Sequence, residues 1–428
     1  MYKNRWKSLK NLLYIAFLIF KNMSYLLWKK DSLKFMKRLC SDFERFNITY
    51  IKIIQGLAAN SFLFTDEQRE YLIDYTQQIP YTEEEMDLEL LKNLENDEIK
   101  FYNNKEPINS GIVAIVYKGS YRGKDVVIKI LKNNIEEKLK SSLADLDFFT
   151  SLLDYVPFIR YLGLYNLFHV NQENILDQVY FDKEVATLIE WKKYSERVDK
   201  LTIPHCYEEF TKNYKKVIIM EFLESKSLLS LTDNEKLEYI YTFQTIIYSF
   251  AFFYGIGHCD LHAGNVLFQE DGKIGIIDLG ITYKIDKMTQ NSMFIFYKEA
   301  IVNSNIKKCM GELENLTEPK EILNKLDINK RNKLNEEIEK LILFHIVQEP
   351  NFMNFIYYTN IMLSKYNLKL SQGFSQVIFS LSSGISLSLA LCHTSLLNTT
   401  LSSVEKEFNK VGLNVVRDLI SEIDFSLD

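Results

Sequence analysis

A chain of 428 residues with 47% hydrophobic and 25% charged side chains can hold two domains, or one large bilobal one, around a sizeable core. Its net charge of −6 argues against wholesale nucleic-acid binding, which calls for a basic surface. Five cysteines (Cys40, Cys206, Cys259, Cys309 and Cys392) are odd in number and never form a C-x-x-C pair. That pattern reads as a reducing compartment with neither a zinc site nor a disulfide framework.

The charge is uneven from the first residues. Positions 1–40 carry ten Lys or Arg (Lys3, Arg5, Lys7, Lys10, Lys21, Lys29, Lys30, Lys34, Lys37 and Arg38) against one acid, Asp31. The apolar run 12–20 within them is too short to span a bilayer. A basic helix carrying Tyr14, Phe17, Phe20 and Trp28 suits an anionic membrane surface; a helix packed on the domain with solvated lysines is the plainer reading. No small-residue cleavage site follows, which speaks against a secretory signal, and the lysines and scarce serines speak against a transit peptide. An intracellular chain, cytoplasmic or peripheral to a membrane, is the expectation, with organelle targeting as the alternative.

Residues 1 to about 100 read as helical, with Thr65-Asp66-Glu67-Gln68 and Thr82-Glu83-Glu84-Glu85 as capping boxes. The texture changes at Glu106-Pro107. Two β-rich runs flank the turn Tyr121-Arg122-Gly123-Lys124 and predict a hairpin. On its second strand Val127 and Lys129 share one face, with Val126, Ile128 and Ile130 on the other. A helical stretch, the segment "QVYFDKEVATLIEWKKY", and the apolar strand "KVIIMEFLE" (216–224) follow. Beyond Asp233 the pattern is helical apart from one motif region. The uncharged stretch 374–397, diluted by seven serines, reads as a buried helix and not as a span.

The motif region is "GHCDLHAGNVLFQEDGKIGIIDLG", residues 257–280. Phosphoryl transfer needs positioning and charge neutralisation more than covalent work from a protein. The residue types it uses occur here in order. Lys129, in Val126-Val127-Ile128-Lys129, can contact the α- and β-phosphates of ATP, and Glu184, on a helix, can orient that lysine. Asp260 is the candidate base or orienter of the attacking hydroxyl or water. Asn265, at Asp+5, and Asp278 can hold magnesium. The segment Met220 to Leu223, including Glu221, would face adenine. Each feature alone is weak, since a strand lysine or a D-x4-N spacing is common; the ordered set carries the reading.

That set resembles the UbiB/AarF/ADCK-type atypical kinase-like family over roughly residues 45–395. The family's K-x-G-Q signature has its counterpart in Lys52-Ile53-Ile54-Gln55, where Lys52 and Gln55 stand at i and i+3 on one helical face. The segment "DEQREYLIDYTQQIP" and the long gap between Lys129 and Glu184 also fit. The resemblance implies an α+β, bilobal protein-kinase-like fold: a small β-rich N-lobe, a large helical C-lobe and an N-terminal helical extension. It implies domains at 1–104 (the extension), 105–224 and 225–428. It implies binding of ATP and Mg, and slow turnover linked to isoprenoid-quinone or other lipid metabolism at membranes. Lys52 and Gln55 would gate the cleft, and Gly111 and Val116 would belong to the nucleotide loop. The sequence departs from the family where Ile54 replaces the signature glycine, where only Gly111 survives of the nucleotide-loop glycines, and where Gln178-Val179-Tyr180 replaces E-x-D.

Four functions compete. An ATPase or a phosphotransferase for a small or lipid-like molecule is the reading preferred here. A protein serine/threonine kinase is disfavoured because no proline lies between Pro204 and Pro319, so its Ala-Pro-Glu anchor is missing, and because His262 stands where such enzymes carry lysine. A catalytically silent pseudokinase scaffold is disfavoured by retention of all five residues. An aminoglycoside- or choline-type phosphotransferase shares H-x-D-L-H-x-G-N but not Lys52 and Gln55.

Overall fold

The computed structural model describes residues 2–27, 31–51, 53–54, 67–68, 71–72, 75, 79–153, 172, 175–196, 198, 200–226, 230–259, 261–262, 264–302, 305–348 and 352–391. The chain divides into two compact units. The first comprises Met1–Lys193, Pro204–Leu223 and Asp278–Ile281; the second comprises Tyr194–Ile203, Glu224–Ile277 and Thr282–Asp428.

The first unit is built on an antiparallel sheet. Ala114–Tyr121 and Lys124–Leu131 pair with Tyr121 opposite Lys124, which leaves Arg122-Gly123 as a two-residue turn. Both turn residues have positive φ, 49° and 77°, as a type I′ hairpin turn requires. Glycine meets that demand without strain at the second position. Val217–Glu221 pairs with the free edge of Lys124–Leu131, setting Ile218 opposite Lys129 and Met220 opposite Val127. Alternation then sorts the strand. Val126, Ile128 and Ile130 are buried with Leu91, Leu94, Phe210, Val217 and Ile219, and Lys129 is left on the opposite face. Gly119 serves a different need: a Cβ there would lie 2.5 Å from the Lys100 carbonyl oxygen, so only glycine lets Lys100–Phe101 join the sheet edge.

Tyr2–Leu27 and Ser32–Asn47 are the first two helices among the described residues. Asp31 caps the second by accepting from the Lys34 amide at 2.8 Å. Ile15 and Leu18 pack with Met36, Leu39, Cys40 and Phe43 in the helical core. A buried polar network ties this layer to the helix Ile135–Leu153. Asp145 accepts from the Tyr50 hydroxyl (2.8 Å) and the Asn11 amide (2.7 Å), and Asn47 donates to Ser142 (2.7 Å). Burial, and then the Asp145 carboxylate, pushes the Tyr50 phenol well above its ordinary pKa, so it remains a donor. Tyr50→Phe is expected to cost about 1–3 kcal/mol, read by thermal or urea unfolding, because it leaves a buried carboxylate short of a donor. An unchanged midpoint would show that the network contributes nothing.

One expected cap is absent. Thr82 makes no capping hydrogen bond and precedes only a single 3₁₀ turn, Glu83–Glu85. The α-helix begins later, at Leu88, with Asp87 accepting from the Leu90 amide at 3.1 Å. An aspartate one residue before the apolar periodicity won over a threonine six residues before it.

The second unit is mainly helical. Asp233–Ser249 opens with a complete capping box, Thr232 with Glu235. Phe243, Phe296, Phe355 and Phe374 are fully buried. Gln372–Leu391 is a helix with Phe374, Val377, Ile378 and Leu381 inside, as its sequence pattern predicts over those residues. No helix among the described residues is long and apolar enough to cross a membrane. Short strands carry the motif region. Val266–Phe268 pairs antiparallel with Ile274–Ile276, and Leu201–Thr202 lies parallel to the latter. Ile256–His258 pairs with Thr282–Lys284. A further two-residue pairing, Thr317–Glu318 with Lys369–Leu370, interrupts what reads in sequence as continuous helix.

Candidate functional site

Lys129 leaves its strand on the face opposite Val126, Ile128 and Ile130 and enters a cluster of carboxylates within the first unit. Its Nζ donates to Glu184 Oε1 at 2.8 Å and Oε2 at 3.0 Å, and to Asp278 Oδ2 at 2.9 Å. Glu184 sits in the first turn of the helix Phe181–Ser195 and only 2% of its side chain is exposed, whereas Asp278 is 36% exposed. Phe181, one turn before Glu184, is fully buried with its ring 5.4 Å from Lys129 Nζ. The ring walls the ammonium from one side and adds a cation–π contact.

Electrostatics follow from the count. Burial alone lowers the Lys129 ammonium, but Asp278 and Glu184 outweigh it and hold the pKa above the ordinary lysine value. Burial, helped by Asp278, pushes the Glu184 carboxyl up to about 7, against the pull of Lys129 and of the Leu279 amide. One ammonium facing two carboxylates is short of positive charge when all three are ionised. A cation beside Asp278 would relieve it.

The residues present fit a magnesium ion. Asp278 Oδ1 accepts from the Gly280 amide at 3.0 Å, which orients the carboxylate and leaves lone pairs for a metal on both oxygens. A Cβ on Gly280 would meet Asp278 Oδ1 at 3.2 Å, Glu184 Oε2 at 3.6 Å and Gln178 Cγ at 3.7 Å, so glycine keeps this space open. Gln178 Nε2 is buried beside it with no hydrogen-bond partner, a donor to which an acceptor oxygen could bind. Carboxylate and carboxamide oxygens are the hard donors that magnesium takes in small number alongside phosphate. Among the described residues no group of three or more His, Cys, Asp or Glu forms a metal cage.

The other candidate residues fall in several places. Asn265 belongs to the second unit. It is buried in the turn before Val266–Phe268, its amide donates to the His262 carbonyl (2.9 Å), and its own carbonyl accepts from the Ile277 amide (3.1 Å). His262 Nδ1 accepts from the Gly264 amide at 3.0 Å, so this imidazole shapes the loop. Val116 stands opposite Lys129 across the hairpin. The Gly111 amide is engaged with the Ala114 carbonyl (2.9 Å) and its φ is not positive, so here it closes the hairpin's entry turn. Met220 and Leu223 are buried, and Glu221, at the end of the strand, is exposed with its amide donating to the His205 carbonyl (2.8 Å). Lys52, Gln55 and Asp260 lie outside the described residues. Sequence reasoning passed over Phe181 and registered Gln178 only as a departure. The i, i+3 spacing of Phe181 and Glu184 was the signal for the first; nothing local marked the second.

Comparison with known proteins bears on this arrangement. Residues 75–313, more than half of the chain, match the family model described as the ABC1 atypical kinase-like domain. A chloroplastic aarF domain-containing protein kinase of Arabidopsis thaliana is 28% identical over 273 residues, covering 59% of this chain and 49% of that one. A probable protein kinase UbiB of Shewanella baltica is 25% identical over 244 residues, covering 52% and 42%. The chain spans about half the length of the curated relatives it matches. The solved Rv3197–erythromycin complex from Mycobacterium tuberculosis aligns with a TM-score of 0.46 and 16% identity, over 83% of this chain and 94% of that one. The fold is the α+β, kinase-like fold expected from the strand lysine, helix glutamate and paired aspartate motifs, and this chain belongs to the ABC1 atypical kinase-like family.

Proposed function

We propose that the chain is an ATP- and magnesium-dependent enzyme of the UbiB type, an ATPase or a phosphotransferase for a small-molecule or lipid-linked acceptor, with a role in isoprenoid-quinone or lipid metabolism. The observation that carries the reading is the contact of one lysine with both Glu184 and Asp278, on residues 55 and 149 positions away in sequence. A surface lysine has no need of two carboxylates, and withdrawing Lys129 and Glu184 from water is costly unless they serve one another or a ligand. The names of the relatives support the enzymatic class.

In this reading Lys129 neutralises charge on the α- and β-phosphates and Glu184 fixes its rotamer. Asp278 and Asn265 would hold magnesium, which would supply charge neutralisation for the phosphates. Asp260 orients the attacking oxygen. Gly111, Val116, Met220, Glu221 and Leu223 surround the nucleotide, and Lys52 and Gln55 gate it. The segments 1–104, 105–224 and 225–428 act as extension, N-lobe and C-lobe.

The test is nucleotide binding and turnover by the purified chain. ATP with magnesium is expected to raise the melting temperature and to be hydrolysed slowly; EDTA or Lys129→Ala is expected to remove both effects. Binding without turnover under every condition would favour a scaffold that holds nucleotide. Absence of magnesium-dependent binding would overturn the proposal.

A further inference from the structure

We infer that the outward face of the helix Tyr2–Leu27 is a docking surface for an anionic lipid bilayer, on which the helix lies in the plane of the headgroups. One side of this helix is already used: Ile15 and Leu18 are buried against Met36, Leu39 and Phe43. The opposite side is left apolar. Leu13, Phe17 and Phe20 follow one another at spacings of four and three residues, so they line up along one face, and they are 64%, 56% and 75% exposed. Tyr14 stands beside them, 45% exposed, with its ring against Phe46 (4.8 Å) and near Phe17 (6.1 Å). A contiguous stripe of large apolar side chains in water marks an interaction site, where scattered ones would not.

Charge decides the occupant. The helix has no acidic residue in its 26 positions and carries Lys3, Arg5, Lys7, Lys10 and Lys21. Across residues 1–50 the acids are only Asp31, Asp42 and Glu44, and each is taken within the layer. Asp31 caps the Lys34 amide, Asp42 accepts from Lys21 and Asn22, and Glu44 accepts from the Tyr75 hydroxyl. Lys10, Lys34, Lys37 and Arg38 remain exposed. A second copy of this basic layer would set cations against one another, and lysine is depleted from the cores of protein interfaces. Anionic headgroups would accept them while the acyl boundary takes up Leu13, Phe17 and Phe20. The helix does not qualify as a membrane span, which leaves it lying on the surface.

The inference is independent of nucleotide chemistry, and its test uses the full chain without ATP. Co-sedimentation would compare vesicles of phosphatidylcholine alone with vesicles containing about one-third phosphatidylglycerol. Binding is expected only to the anionic vesicles, falling about tenfold as ionic strength rises from about 0.05 to about 0.5 M. The triple variant Leu13→Asn, Phe17→Asn, Phe20→Asn is expected to lower partitioning by about thirtyfold with unchanged circular dichroism and melting temperature. Lys10→Glu should give a smaller loss that disappears at high salt. Equal binding to neutral vesicles, no binding to either, or undiminished binding by the triple variant would overturn the inference. So would self-association that the triple variant abolishes in a chain that ignores vesicles.

Discussion

Asp278→Asn is expected to reduce magnesium-dependent ATP turnover by about a hundredfold or more, the scale of removing a fixed charge stabiliser from a preorganised site. The substitution is nearly isosteric. The amide oxygen can still accept from the Gly280 N–H or from Lys129, so the loop 278–281 retains its local bonds. What changes is charge: a hard anionic donor becomes a neutral one, and the excess of negative charge around Lys129 disappears. Glu184 also loses a like-charged neighbour, one of the causes that raise its pKa. The folded state without ligand should therefore be as stable as the wild type, or slightly more so, while the stabilisation conferred by magnesium and ATP is lost. Thermal unfolding with and without magnesium, beside a steady-state phosphate-release assay, separates these two effects. Turnover that survived Asp278→Asn unchanged would remove Asp278 from the metal site.

Glu184→Gln is expected to lower turnover by about thirtyfold to a few hundredfold with a smaller change in nucleotide affinity. A small misplacement of a charge-neutralising group costs about this much in rate. Glu184 presents both oxygens to Lys129, at 2.8 and 3.0 Å, and is itself buried in the helix Phe181–Ser195. A glutamine offers one acceptor and no charge, so Asp278, at 2.9 Å, becomes the dominant partner of Lys129. The lysine is then drawn toward the proposed metal carboxylate and away from its orienter. The magnesium concentration needed for half-maximal rate should rise. That shift is the readout that loss of packing alone would not produce. A variant with the wild-type rate and magnesium dependence would reduce Glu184 to a structural ion pair.

Several features of the molecule were legible because their causes are local. Arg122-Gly123 between two β-rich runs specifies a tight turn, since glycine accepts positive φ and the strand periods on either side set the register. The alternation in Val126-Val127-Ile128-Lys129-Ile130 separates buried from site-facing positions because a strand repeats every two residues. Thr82 shows the limit of this reasoning. Its spacing to Glu85 matches a capping box, yet Asp87 captures the helix start, and no count of intervening residues ranks two such neighbours.

By itself, then, the sequence determined the types of elements and the order in which the lysine, glutamate, asparagine and aspartate appear along them. It also determined the basic character of the first forty residues and, through its motifs, the family. Only the tertiary structure decided that Lys129 meets Glu184 and Asp278 together, that Phe181 walls their contact, and that Gln178 brings an unpartnered donor beside Gly280. It also decided which face of Tyr2–Leu27 is covered and which is left to water. The division has a physical cause. Turns, caps and periodicities arise from interactions within a few residues, whereas a hydrogen bond spanning 149 positions and a bare apolar face depend on which distant surfaces fold against one another.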